Sequence, residues 1–230
     1  MLIAGIISKI TSKTSFMITA FFDIDYTIIR NTSMERIFVK YLRRRGIINW
    51  GDILRTLLFI ISNISEPSGI AIRSRRPYLE KKSVNIVEAL ASECFRDAII
   101  PLISKEAIID ITRHKEAGHQ IVLLSGTLEI LARLLSRHVK ADYYYACNPE
   151  VSGGYYTGKI ILPIPYGEGK RQILLSYSKE HDIDLRKCFA YGDSVSDINV
   201  FECVGNPCVV NPGRRLIGIA MEKGWNIVNW

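Results

Sequence analysis

The chain has no C-x-x-C pair, no histidines at metal-ligand spacing and no apolar run long enough to span a bilayer. Its five cysteines, Cys94, Cys147, Cys188, Cys203 and Cys208, are odd in number and scattered over 230 residues. That excludes a disulfide framework and argues for reduced thiols in a cytoplasmic compartment, most of them small core residues. His114, His119, His138 and His181 read as surface or helix-end residues rather than zinc ligands. The apolar stretch at residues 50–64 is too short to cross a membrane. The early run Leu2-Ile3-Ala4-Gly5-Ile6-Ile7 has no basic residue ahead of it and is shorter than a secretory core, which argues against a signal peptide. No groove-reading motif or basic-aromatic repeat is present, so nucleic acid is set aside as a partner.

What is present suits a core and an anionic ligand. Hydrophobic residues make up 48% of the chain, enough for one substantial core and a small second module. Lysine and arginine outnumber aspartate and glutamate by 30 to 23, a net charge of +7. Such a balance favours phosphorylated metabolites or acidic lipid headgroups. The apolar run at 16–22 reads as a buried strand, and it ends in Asp23-Ile24-Asp25. Two acids one residue apart are out of place in a core. Beyond the carboxyl end of a strand in an open α/β sheet, they mark a ligand site.

Residues 31–99 read as helices. Ser33-Met34-Glu35-Arg36 resembles a helix start, Ile37, Phe38, Tyr41 and Leu42 follow at helical spacing, and Gly46 stops the helix. Residues 50–64 read as a buried helix of a small bundle in preference to one that touches a membrane. A loop at 65–69 follows, and segments 78–90 and 93–99 complete the bundle. Arg43-Arg44-Arg45 and the arginines at 73–76 read as solvated faces. With Pro101 placed as a first helical residue, helices and strands then alternate. Helices are expected at 102–116, 129–139, 168–180 and 215–223, and strands at 120–124, 143–146, 188–191 and, last, 208–210. Gly153-Gly154 and Thr157-Gly158 make 150–164 a hairpin. The alternation predicts an α/β fold, a doubly wound parallel sheet with helices on both faces. In the 1–16 extension, Ile3, Ile6, Ile7 and Ile10 have the spacing of a short amphipathic helix on a protein or membrane surface.

Three strand ends carry polar residues: Asp23 with Asp25, then Ser125, then Asp193 with Asp197. Lys170 opens the helix between the last two. A parallel sheet brings these ends to one edge. Singly, each aspartate could be a turn former or cap. Clustered, they repel unless a cation or protons neutralise them. Oxygen-only ligands point to a hard ion, Mg²⁺ where phosphate is the substrate. Lys170, the Ser125 hydroxyl and backbone N–H groups around Gly126 and Ile24 can bind phosphate oxygens. Asp23 can then attack phosphorus, while Asp25 protonates the leaving oxygen and activates water.

These residues resemble the four motifs of the haloacid dehalogenase superfamily: Asp23-Ile24-Asp25-Tyr26-Thr27, Leu124-Ser125-Gly126-Thr127, Lys170, and Gly192-Asp193-Ser194-Val195-Ser196-Asp197. The resemblance covers the chain from Met17 to its end. It implies a Rossmann-like core of residues 17–30 and 100–230, with a helical cap at 31–99 as in the phosphoserine phosphatase-like branch. It also implies Asp23 as nucleophile, Asp25 as acid and base, and Mg²⁺ held by Asp23, the Asp25 carbonyl and Asp193, with Asp197 supporting the metal and Lys170. Phosphoserine phosphatases carry a glutamate nine residues after the nucleophile. This chain has Thr32 there, with Glu35 the nearest acid, so phosphoserine is not implied as its substrate. The reading is a Mg²⁺-dependent hydrolase of a small or amphiphilic phosphate ester, cytoplasmic or peripheral to a membrane. A phosphotransferase using the same site, or a non-catalytic membrane-associated binding protein of this fold, are the alternatives.

Overall fold

The computed structural model describes residues 17–66 and 69–230. The expected amphipathic helix in the 1–16 extension lies outside the described residues, as do Pro67 and Ser68 of the expected loop.

Strand β1 (Thr19–Phe22) is buried along its whole length. Its side chains alternate between two cores: Ala20 and Phe22 join one apolar cluster, Phe21 the other. A strand covered on both faces needs apolar residues throughout, which is why the run does not alternate with polar ones. Helices α1 (Met34–Arg44), α2 (Trp50–Asn63), α3 (Ile70–Arg73) and α4 (Val84–Cys94) follow. The Ser33 hydroxyl caps α1 by accepting from the Arg36 N–H. At the start of α2, Asn49 and Asp52 cap each other reciprocally. A single π-turn (Phe95–Ile99) continues α4 and a short 3₁₀ turn (Ile100–Leu102) succeeds it.

From there helices and strands alternate as expected. The order is α5 (Lys105–Glu116), β2 (Gln120–Leu128), α6 (Glu129–Val139), β3 (Tyr143–Ser152), β4 (Tyr155–Ile161), α7 (Glu168–Glu180), β5 (Phe189–Gly192), α8 (Ile198–Phe201), β6 (Asn206–Val210), α9 (Arg214–Lys223) and β7 (Asn226–Val228). The sheet runs β4-β3-β2-β1-β5-β6-β7. All pairings are parallel except the β3–β4 hairpin. Residues of α5 and α6 share the core of Ala20 and Phe22, whereas those of α7, α8 and α9 share that of Phe21, so the sheet is doubly wound. From β1 the chain builds outward to β2 and β3 on one side, then returns to lay β5, β6 and β7 on the other. The crevice at such a reversal is where open α/β sheets bind ligands.

Several expectations need correction. Residues 50–64 form a helix, but most of its apolar side chains face solvent and only Asp52 is buried. The cause is polar anchoring of the inner face, where the Lys82 ammonium donates to Asp52 (2.8 Å). Pro101 lies in the 3₁₀ turn, and α5 starts at Lys105 because the Ser104 hydroxyl accepts from the Ala107 N–H. β2 runs on to Leu128, past a register shift against β3. Finally, β7 adds a strand after Val210, parallel to β6. His114 is also buried, between the Tyr191 hydroxyl and His119 (2.8 Å to each). Cys94, Cys147, Cys188 and Cys208 are buried free thiols, as expected.

Candidate active site

The site forms beyond the ends of β1 and β5, level with the middle of β2. Asp23 directly follows β1, and its N–H still donates to the Tyr191 carbonyl of β5 (2.9 Å). Ile24 packs into the core. Tyr26 turns the chain with φ +61°. That turn lets the Asp25 carboxylate accept from the Met34 N–H at the start of α1 (2.8 Å). Ser125 is buried within β2, followed by Gly126. Asp193 follows β5 and accepts from the Thr27 hydroxyl (3.3 Å). Thr27 is a site residue that its place in the first motif alone did not assign a role.

Lys170 binds the two halves together. Its ammonium, 4% exposed, donates to Asp23 (2.7 Å) and Asp197 (2.6 Å). The second oxygen of Asp197 accepts from the Ser194 N–H and hydroxyl. Ligand-capable oxygens of Asp23, Asp193 and Asp197 lie within 4.8 Å of one another. The Asp25 carboxylate is turned away from that trio toward α1, so it is not among the oxygens that converge.

Electrostatics of the cluster follow from burial. Burial, with Asp23 next to it, pushes the Asp25 carboxyl up to about 8. Burial and the charges of Asp23 and Asp197 push Asp193 up to about 7. Asp23 is also raised by burial, against the pull of Lys170. Burial disfavours the Lys170 cation, yet Asp197 and Asp23 outweigh it and hold the group above the usual lysine value. One ammonium therefore cannot offset three carboxylates. A compact set of hard oxygen donors with uncompensated negative charge fits a divalent ion such as Mg²⁺.

Lys170 is placed by a close approach of backbone. A Cβ at Gly169 would lie 2.0 Å from the Ile164 carbonyl oxygen, which any larger residue must push aside. Gly169→Ala is expected to cost about 1–3 kcal/mol and to lower turnover by shifting Lys170. Thermal melts and steady-state rates check it; a variant as stable and active as the parent would show that this loop yields freely.

A model of haloacid dehalogenase-like hydrolases matches residues 20–202, which include all four motifs. The chain belongs to this family. This haloacid dehalogenase-like hydrolase is 30% identical over 216 residues to a probable phosphatase of Mycobacterium tuberculosis, covering 92% of the chain and 75% of the relative. It is 29% identical over 219 residues to a phosphoserine phosphatase of the same organism, covering 90% and 69%. Among solved structures, a phospho-aspartyl intermediate analogue of phosphoserine phosphatase shares its fold with a TM-score of 0.65 at 18% identity, covering 92% of each chain. A protein of unknown function from Bordetella pertussis Tohama I superposes with a TM-score of 0.80 at 23% identity, covering 93% of this chain and 99% of that one.

The hydrolase carries a second polar group beside the site. The Arg76 guanidinium, 9% exposed, contacts the Glu35 carboxylate (2.5 Å), and the Tyr78 hydroxyl donates to the same oxygen (2.6 Å). Arg76 also donates to the Gly126 carbonyl (3.4 Å), so this group touches the second motif directly. Glu35, Arg76 and Tyr78 line a cavity of about 280 Å³ with Phe59, Ile60 and Arg73. The arginines at 73–76 are thus not a uniformly solvated face. Nothing in the run separates Arg76 from its neighbours, so its burial could not be read from one sequence. A larger cavity of about 920 Å³ lies against β5, β6 and β7, and none of Asp23, Asp25, Asp193 and Asp197 lines it.

Proposed function

We propose that the chain is a Mg²⁺-dependent phosphomonoesterase that works through an aspartyl-phosphate on Asp23. The observation that carries this reading is the cluster of Asp23, Asp193 and Asp197 at the sheet's reversal point, with Lys170 bridging Asp23 and Asp197 and Asp25 close by. Asp23, Asp193 and the backbone carbonyl of Asp25 would hold the Mg²⁺, with Asp197 supporting them. When bound, the ion neutralises negative charge shared by the carboxylates and the phosphate.

The chain's own residues perform the steps. Lys170, the Ser125 hydroxyl and the Gly126 N–H bind phosphate oxygens and hold phosphorus in line with Asp23. A carboxylate oxygen of Asp23 attacks phosphorus, and the bond from phosphorus to the ester oxygen breaks. Asp25, protonated near neutral pH because burial and Asp23 raise it, gives its proton to the departing oxygen. Its carboxylate then accepts a proton from water as that water attacks phosphorus. The bond to Asp23 breaks and inorganic phosphate leaves. General acid–base help of this type is worth roughly 10²–10⁴ in rate.

Residues 31–99 act as a cap over the core formed by 17–30 and 100–230. The cavity lined by Glu35, Arg76 and Tyr78 takes the leaving group, a small or amphiphilic alcohol. Reduced, mostly buried thiols support a cytoplasmic setting. Turnover of a generic aryl phosphate, measured with Mg²⁺ and after its removal with EDTA, tests the reading; absence of Mg²⁺-dependent turnover would sink it.

Asp25→Asn is expected to lower turnover by roughly 10²–10⁴ while the melting temperature stays close to that of the parent. The substituted amide oxygen still accepts from the Met34 N–H, so α1 keeps its start. Full activity in that variant would refute the acid–base role.

A further inference from the structure

Helix α2 is amphipathic in the reverse sense. Trp50, Leu54, Leu57, Leu58 and Ile61, with Ile64 just beyond its end, are between 50% and 70% exposed. At 100° per residue these six fall within an arc of about 120°, forming a stripe about 20 Å long. The opposite side faces the protein. There Asp52 is buried and paired with Lys82, and Thr56, Phe59 and Ile60 line the cavity beside Glu35. A surface helix ordinarily turns its apolar side inward. Contiguous exposure of this kind marks an interaction surface.

The border of the stripe identifies what covers it. The only carboxylate of α2, Asp52, points inward. At the helix start the Arg43 guanidinium stacks over the Trp50 ring, 3.8 Å from its centroid. Lys40, Arg43 and Arg44 lie exposed on neighbouring turns of α1, in a chain of net charge +7. Apolar side chains flanked by cations, with a tryptophan at one end, suit a helix lying in the plane of an anionic bilayer surface. A second copy is a poorer match: two such stripes packed antiparallel about a two-fold axis would leave the cations of each copy beside the other's apolar end, without an anionic partner. At 14 residues α2 cannot cross a bilayer, and no helix among the described residues is long and apolar enough to do so.

We propose that the outer face of α2, with Lys40, Arg43 and Arg44, docks the protein on an anionic lipid surface. Leu54, Leu57, Leu58 and Ile61 enter the boundary between headgroups and acyl chains while the arginines meet lipid phosphates. The cavity on the inner side of the same helix then lies about one helix diameter, roughly 10 Å, from the headgroups. Binding of this kind requires no turnover, so it stands or falls apart from the phosphatase reading.

Co-sedimentation of the full chain with vesicles tests the proposal. Two compositions serve, phosphatidylcholine alone and an equimolar mixture with phosphatidylglycerol. The parent is expected to bind the anionic vesicles at least about tenfold more tightly, and to be released as salt shortens the screening length. Leu57→Glu with Ile61→Glu, both at exposed positions, is expected to lose tenfold or more in binding while circular dichroism and aryl-phosphate turnover match the parent. Arg43→Ala with Arg44→Ala is expected to lose binding to anionic vesicles by several-fold. Failure of the parent to bind anionic vesicles would overturn the proposal, as would unchanged binding in both variants. A dimer in solution that Leu57→Glu with Ile61→Glu dissociates, without vesicle binding by the parent, would assign the face to a second copy and equally overturn it.

Discussion

Asp23→Asn is expected to abolish turnover, by at least about 10⁴-fold, the scale seen when a covalent nucleophile is lost. The fold should survive. Asp23 is a buried carboxylate raised by its surroundings, so a neutral isostere removes repulsion with Asp193 and Asp197 as well as one partner of Lys170. Lys170 keeps Asp197 at 2.6 Å. Two further measurements separate loss of the nucleophile from general damage. Intact mass of the parent after acid quench should show one added phosphoryl group, which the variant lacks. Saturating Mg²⁺ at about one hundred times its dissociation constant stabilises a protein by about 2.7 kcal/mol. For a chain of this length that raises the melting temperature by roughly 5–10 °C, and the shift should shrink in the variant because one oxygen donor is gone. An active variant would remove Asp23 from the chemistry altogether.

The elements that position this site were largely legible. Asp23 and Asp25 stood out because charge at the end of an apolar run has no place in a core. Lys170 and Asp193 were found by the same logic, since alternating elements imply a parallel sheet whose ends converge. Helix α7 (Glu168–Glu180) and the hairpin around Gly153-Gly154 fall where turn residues and apolar spacing put them.

What was not legible depends on tertiary context. The periodicity of α2 reports a strongly apolar side but not which way that side faces. Its direction was decided by Asp52 and Lys82, residues 30 apart in the chain. Arg76 looks like one member of a charge run, and only the fold supplies Glu35 and the Gly126 carbonyl as its partners. The short strand β7 has too few residues to carry a pattern of its own. It exists because the edge of β6 offers pairing for Asn226–Val228.

Lys170→Met should have the largest effect on stability. The substitution nearly conserves volume, so what it removes is charge. Loss of one partner from a buried ion pair costs about 3–5 kcal/mol, a drop in melting temperature of roughly 10 °C for this length. Turnover should fall by about 10²–10³, as expected when a fixed cation facing developing charge is lost. The deficit should depend on pH in a defined direction. In the metal-free protein Asp193 is raised to about 7 and Asp25 to about 8, so the folded state holds protons that the unfolded chain has released above pH 4. Stability contributed by the protonated forms is therefore complete at low pH and lost as pH rises toward 8. Removing the ammonium raises the neighbouring carboxyls further, because Lys170 lowers both Asp23 and Asp193. The gap between variant and parent should thus widen as pH rises from 5 to 8, above the part that the Lys170–Asp197 pair contributes. Melts in EDTA across that window measure it. A gap that does not change with pH would mean that the ammonium stabilises the fold through Asp197 and not through Asp23 and Asp193. The site would then owe its cohesion to one ion pair rather than to a cation shared among the carboxylates around it.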